Sequence, residues 1–217
     1  MNPRLRPTGV VAAVLALVAV SCASNGRFTE SFRGGVADRW TILREQSGAW
    51  RVADGALELR VLPGNMWGGA NDARNVFVRP IPDPRQGPVD ITARVENRPT
   101  EQYEQVDIVW YYADSHQVKI GQELVDGQLS VVMGREENDR TRTLAIIPIA
   151  SDVVDVRLRA EGEELVGWYR TPGMTDWREA GRCSLPVKGT PHISLQAYQG
   201  PAQVERWARI SRLRVGR

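Results

Sequence analysis

Between Gln105 and Glu123 the chain sets an amide, two carboxylates, a phenol and an ammonium into two alternating apolar segments. They read Gln-Val-Asp-Ile-Val-Trp-Tyr-Tyr-Ala from Gln105 and Gln-Val-Lys-Ile-Gly-Gln-Glu from Gln117. Side chains of an extended strand alternate between faces. Gln105, Asp107, Val109 and Tyr111 therefore share one face, and Val106, Ile108, Trp110 and Tyr112 the other. In the second segment Lys119, Gly121 and Glu123 lie opposite Val118, Ile120, Gln122 and Leu124. The polar turn Ala113-Asp114-Ser115-His116 joins the two as a β-hairpin. One face suits a core. The other carries groups that hydrogen-bond a polar ligand, and its two carboxyls, Asp107 and Glu123, are an acid/base pair in the event of catalysis.

A third strand, His192–Tyr198, extends that face. With Ile193, Leu195 and Ala197 turned to the core, His192, Ser194, Gln196 and Tyr198 join the polar side. Seven tryptophans against three phenylalanines is a skewed ratio, and indole faces stack well on sugar rings. Trp110 reads as core by parity, and Trp50 and Trp177 flank turns where they suit packing. Trp67 lies among loop formers, Pro63 to Asp72, and is the tryptophan to place at a ligand cleft. The candidate ligand-binding set is thus Trp67, Gln105, Asp107, Tyr111, Lys119, Glu123, His192 and Gln196. The competing reading is a solvated face on which Lys119 neutralises Glu123 or Asp107, worth well under a kcal/mol.

These residues need a sheet beneath them. Asp54-Gly55 and Asp126-Gly127 mark two further hairpins, because both residue types tolerate positive φ. Other strands are expected near Phe28, at Pro88–Glu96, Val153–Ala160 and Glu164–Arg170, and between Gln203 and Val215, with proline-rich breaks at Pro80–Pro84 and Pro99. Leu144–Val156 is the best helical candidate, but Pro148 interrupts it. The pattern is all-β: an antiparallel β-sandwich or jelly roll, as one domain over 28–217.

The first 21 residues carry Arg4 and Arg6, an apolar run from Val10 to Val20 and small residues, the pattern of a secretory signal. The run is too short to span a bilayer. Ala19-Val20-Ser21-Cys22 resembles a bacterial lipobox, so Cys22 is the expected lipidation site. A linker over 22–27 and an outer-membrane or surface position follow, with membrane contact through the lipid. Without the signal, basic and acidic residues are equal at 26 each, which argues against a nucleic-acid partner. Lipidation of Cys22 leaves Cys183 without a disulfide partner. His116 and His192 have no ligand-spaced cysteine or acid, so no metal or cofactor is expected. Asp38, Asn71, Asp72 and Asp126 hold oxygens for a structural calcium ion, although short loop acids usually form turns. A monomer is expected.

The ordered elements Trp50-x-Val52-x-Asp54-Gly55-x-Leu57, Met66-Trp67, Tyr103-Glu-Gln105-Val-Asp-Ile108, Val118-Lys119-x-Gly121-x-Glu123, Val156-Arg-Leu158-Arg159 and Tyr169 to Trp177 are together specific. In them the chain resembles the concanavalin A-like lectin/glucanase superfamily. It is most similar there to the regulation-of-enolase family and to the C-terminal β-sandwich of β-xylosidases. That family typically reads Ala-Gly where this chain has Val106-Asp107. The resemblance implies a concanavalin A-like jelly roll from Phe28 onward. It also bears on catalysis. Glucanases of the laminarinase type carry Glu-x-Asp-x-x-Glu, which falls here on Gln105, Asp107 and Trp110 and lacks both catalytic acids. Jelly-roll alginate lyases keep a histidine and a tyrosine where this chain has Asp107 and Glu123. The leading expectation is an exported, non-catalytic, glycan-binding sandwich. The alternatives are a glycoside hydrolase or polysaccharide lyase using Asp107 and Glu123, and a lipoprotein whose sheet meets a protein.

Overall fold

The computed structural model of the chain describes residues 26–36 and 38–216. The segment expected to be a secretory signal, and Cys22, lie outside the described residues. Two antiparallel sheets pack face to face. The first runs, in spatial order, β13 (Arg178–Ser184), β12 (Glu164–Arg170), β11 (Val153–Glu161), β6 (Val89–Glu96), β15 (Trp207–Gly216), β4 (Ala56–Arg60) and β3 (Trp50–Ala53), with β1 (Phe28–Glu30) also paired to β15. The second runs β10 (Arg140–Pro148), β9 (Gln128–Glu137), β8 (His116–Val125), β7 (Gln105–Ala113), β14 (His192–Tyr198), β5 (Val76–Pro80) and β2 (Thr41–Leu43). This is the expected β-sandwich.

β6 shows why these residues form strands. Val89, Ile91, Ala93 and Val95 are buried, while Asp90, Thr92, Arg94 and Glu96 between them stay partly exposed. β11 repeats the pattern with Val154, Val156, Leu158 and Ala160 inward. Each such side chain withdrawn from water stabilises by about 1.5–3 kcal/mol before chain entropy opposes it. From the second sheet Ile108, Trp110, Ile120, Ile193 and Leu195 close the same core, all fully buried. Phe77 receives Trp40 and Trp50 edge-on at 6.2 and 5.4 Å.

β7 and β8 break that rule, because both of their faces are buried over most of their length. The cause is the segment 61–75 between β4 and β5, which crosses the outer side of the second sheet. Main-chain bonds from Gln199 N to Gly64 O (3.2 Å) and from Gly200 N to Leu62 O (3.0 Å) fasten it to the end of β14.

The central turn is the expected one, with Ala113 paired to His116 around Asp114-Ser115. One local expectation is corrected. The Leu144–Val156 helical candidate is instead the end of β10 and the start of β11. β10 forms a hairpin with β9 through Asn138 and Asp139, both at positive φ (53° and 60°), which two-residue hairpin turns require. The proline-rich break lies where expected, between the end of β5 at Pro80 and the start of β6 at Val89, and holds one 3-10 turn at Pro84–Gln86.

Candidate functional site

The crossing segment is built by one side chain. Asn65 Oδ1 accepts the amides of Met66 (2.8 Å) and Trp67 (3.0 Å), and Asn65 Nδ2 donates to Trp67 O (3.2 Å). The Asn65 amide in turn donates to Asp72 Oδ1 (2.7 Å). The turn so formed drives Met66 onto the sheet, where it is fully buried with Ala73, Val109, Tyr111 and Tyr198 in a second apolar cluster. Polar anchors hold it there. Gln117 Nε2 donates to Met66 O (2.9 Å), Arg44 Nε donates to Ala73 O (2.7 Å), and Arg44 is paired with Asp114 (2.7 Å).

Trp67 follows Met66, and its ring lies over Gly134 of β9. A Cβ at Gly134 would fall inside the van der Waals surface of the indole, so the glycine makes the seat. Beside the ring opens a cavity of about 510 Å³, lined among others by Trp67, Gln105, Lys119, Glu123, Tyr103 and Ile146. That volume is within the range of small-ligand sites. Tyr103 (46% exposed) and Ile146 (50% exposed) stand at its rim, and Tyr103 adopts the left-handed φ of 68°. Glu123 and Asp126 put two carboxylates in its wall.

The floor is an ion cluster. Lys119 Nζ donates to Glu123 Oε2 (2.8 Å) and to Gln105 Oε1, and lies 5.1 Å from the Trp67 ring centroid. Gly121 lies between Lys119 and Glu123 on the same face and pairs with Asp107 on β7. A Cβ there would collide with the Asp107 carboxyl and the Val106 carbonyl. Asp107 is fully buried, and neither of its carboxyl oxygens has a hydrogen-bond partner among the described residues. Burial raises its pKa to about 7, with Lys119 opposing and Glu123 adding to the rise. Burial also works against the Lys119 charge. Tyr198, Asp107 and Glu123, with the Glu123 hydrogen bond, outweigh that and hold the ammonium above the ordinary lysine range.

The structure separates the eight sequence candidates. Trp67, Gln105, Lys119 and Glu123 meet at the cavity. Asp107 lies in the ion cluster but does not line the cavity, so the expected Asp107–Glu123 pair presents one carboxyl to it. Tyr111 offers no ring face: it is buried in the Met66 cluster and donates to Asp114 Oδ1 (2.8 Å). Gln196 is buried and donates to Ser194 Oγ (3.0 Å). His192, at the other end of β14 opposite Tyr111 and Pro80, is outside the cavity, and burial lowers its pKa.

Among the described residues no group of three or more His, Cys, Asp or Glu is placed to hold a metal ion. Asp72 binds the Asn65 amide, Asn71 Nδ2 donates to Asp139 (3.5 Å), and Asp126 accepts from Gln102 (3.1 Å).

Sequence reasoning missed Asn65, Gln117 and Glu136. Glu136 is buried beside the segment, and burial raises its pKa to about 7 against bonds from Gly68 and Gln117. Gly134, isolated inside a strand, was the available signal, since such a glycine marks close approach of other atoms.

No protein-family model matches the chain, and a search of curated proteins finds no match. Solved structures do match it. The GH43 BlXynB protein from Bacillus licheniformis aligns with TM-score 0.75 and 15% identity over 89% of this chain and 39% of its own. The xylan β-1,4-xylosidase from Bacillus halodurans gives 0.74 and 15% over 87% and 39%. The CBM2 module of the evolved Dit protein of Lactobacillus casei BL23 phage J-1 gives 0.58 and 10% over 88% and 94%. The chain thus spans about two fifths of the length of the two Bacillus structures. At these identities the likeness establishes the fold alone, a sandwich of two antiparallel β-sheets.

Proposed function

We propose that the protein is an exported, non-catalytic β-sandwich that binds a glycan in the cavity beside Trp67. The observation that carries this reading is the convergence of an indole wall with the Gln105–Lys119–Glu123 cluster around a space of sugar-sized volume. An aromatic face and a few directed polar groups are what a sugar needs: its ring stacks and its hydroxyls donate and accept. Two neighbours whose printed names refer to GH43 and xylan share the fold, which supports a glycan as ligand. The motif similarity to the regulation-of-enolase family and to β-xylosidase C-terminal sandwiches supports the same group. A binding role is favoured over catalysis because Asp107 is enclosed and Glu123 is tied to Lys119. Two-carboxylate glycoside hydrolysis through Asp107 and Glu123 needs both groups at the sugar, and the other carboxylate of the cavity wall, Asp126, is engaged by Gln102. Lipid attachment at Cys22, with the sandwich held at the cell envelope, completes the reading.

A glycan array followed by calorimetry on neutral plant oligosaccharides tests it. Binding should appear and should be lost in Trp67→Ala with the fold intact. Cleavage of any polysaccharide that disappears in Glu123→Gln would establish the enzyme reading instead. A folded protein that binds no glycan would leave the cavity without this role.

A further inference from the structure

The outer face of the first sheet lies opposite the cavity and is rich in guanidinium groups. Three of its carboxylates are each shared between two arginines. Asp155 pairs with Arg94 (2.8 Å) and Arg170 (3.1 Å), Asp90 with Arg157 (2.5 Å) and Arg159 (3.3 Å), and Glu58 with Arg51 (2.6 Å) and Arg209 (3.4 Å). Arg159 also reaches Glu161 (3.8 Å), so the surplus positive charge lies around Asp155 and Glu58, offset in part by Glu96. Arg212 and Arg214 add to it: both are exposed and neither forms an ion pair among the described residues. Arg212 sits where the register of β15 against β6 shifts, with φ 53°. A non-glycine residue held there is costly backbone, of the sort found at ligand-contacting sites. Two adjoining hollows share Arg212 and Arg214: one of about 310 Å³ with Thr92, Arg170 and Asp155, the other of about 520 Å³ where Arg94, Arg209 and Arg33, together with them, outnumber the carboxylates Glu30, Asp54 and Glu96. Planar guanidinium forks beside hydroxyls match phosphate oxygens.

Two further observations select the kind of phosphate. Trp207, Trp168 and Trp177 lie under Arg51, Arg157 and Arg170 at 4.2, 4.9 and 4.8 Å from ring centroid to guanidinium carbon. Partly exposed tryptophans beside arginines suit the boundary between headgroups and acyl chains. The N-terminal strand also belongs to this sheet, with Thr29 opposite Arg214. The six residue-to-residue steps from Cys22 to Phe28 reach at most about 20 Å. An acyl chain on Cys22 would thus keep this sheet near the bilayer.

We propose that this face seats against the anionic phosphates of a lipid bilayer and so turns the cavity on the opposite sheet away from the membrane. The chain from Ala23 onward holds every strand of the sandwich and no acyl group. It is floated with phosphatidylcholine vesicles that contain or lack phosphatidylglycerol. It should float with the anionic vesicles and be released by salt. Arg212→Gln with Arg214→Gln should lower partitioning about fivefold per arginine, roughly twenty-five-fold together, because each basic side chain near such a surface contributes alike. Arg140→Gln with Arg142→Gln removes the same charge from exposed positions on β10 and should leave flotation unchanged. Equal loss in that control, equal flotation with neutral vesicles, or no flotation at all would overturn the proposal. Capture on immobilised polygalacturonate without vesicle binding would also overturn it and give the face to an anionic glycan.

Discussion

Asp107→Asn tests the ion cluster most directly. The substitution keeps the shape of the side chain and removes its titration. In the folded protein the Asp107 pKa is lifted from 3.8 to about 7, by burial against the attraction of Lys119 and with the repulsion of Glu123. A group with a raised carboxyl pKa binds its proton more tightly in the folded chain. The folded state then holds more protons than the unfolded state between pH about 4 and about 7, and stability falls as pH rises through that window. Three units at 1.36 kcal/mol each give about 4 kcal/mol lost by pH 8 relative to pH 4 from this group. An asparagine escapes that loss, and Glu123 remains to pair with Lys119. Glu136, whose pKa also lies near 7, still titrates in both proteins, so the pH profile flattens without becoming level. Urea denaturation from pH 4.5 to 8 measures the effect. The variant should match the parent near pH 4.5 and exceed it in stability at pH 8. Parallel profiles, or a variant weaker at pH 8, would refute a strained buried carboxylate at this position.

Lys119→Met leaves Glu123 and Asp107 enclosed without their counter-charge and should cost about 3–5 kcal/mol at pH 8 by urea denaturation, and less at pH 5, where Asp107 is protonated. Adding Glu123→Gln should recover part of that loss. Gly134→Ala pushes the Trp67 ring off its seat: stability should fall by about 1–3 kcal/mol, tryptophan emission should shift to the red, and glycan binding should drop. Unchanged emission and binding would mean that Trp67 does not depend on that glycine.

The division of β7 and β8 into core and polar faces was legible in period-two alternation, and Trp110, Ile108 and Asp107 lie on the sides that parity assigns. Strands with strong alternation or an Asp-Gly turn were found close to their limits, as in Glu164–Arg170 and His192–Tyr198. β10 was not, because an edge strand with four exposed residues at its start carries little hydrophobic pattern. The covering of the polar face was not legible either. Alternation tells which side a residue faces, but not what lies over that side. Tyr111 and Gln196 were therefore assigned to a ligand when their partners are Asp114 and Ser194 of the protein itself. The fold was written in local periodicity, whereas the cover depended on a contact between Met66 and Gln117, 51 positions apart.

The mixed chemistry of the second sheet thus serves two purposes in two places. At one end the segment 61–75 is held by apolar packing around Met66 and by neutral or backbone-directed hydrogen bonds from Gln117 and Arg44. Nothing in that attachment requires a buried ammonium. At the other end Lys119, Glu123 and Asp107 are enclosed at real cost, since an apolar set of similar volume would generally be as stable or more so. Gly121 keeps room for them, and Gly134 keeps the indole beside them. Lys119, Glu123 and Asp107 thus lie at or beneath the cavity floor, whereas the covered part of the sheet holds a single buried carboxyl of this kind, Glu136, bonded to the covering segment and to Gln117. A cluster kept only for folding has no reason to lie next to the opening. One kept for recognition does, and this is the reason to look for the ligand beside Trp67 and not along the whole sheet.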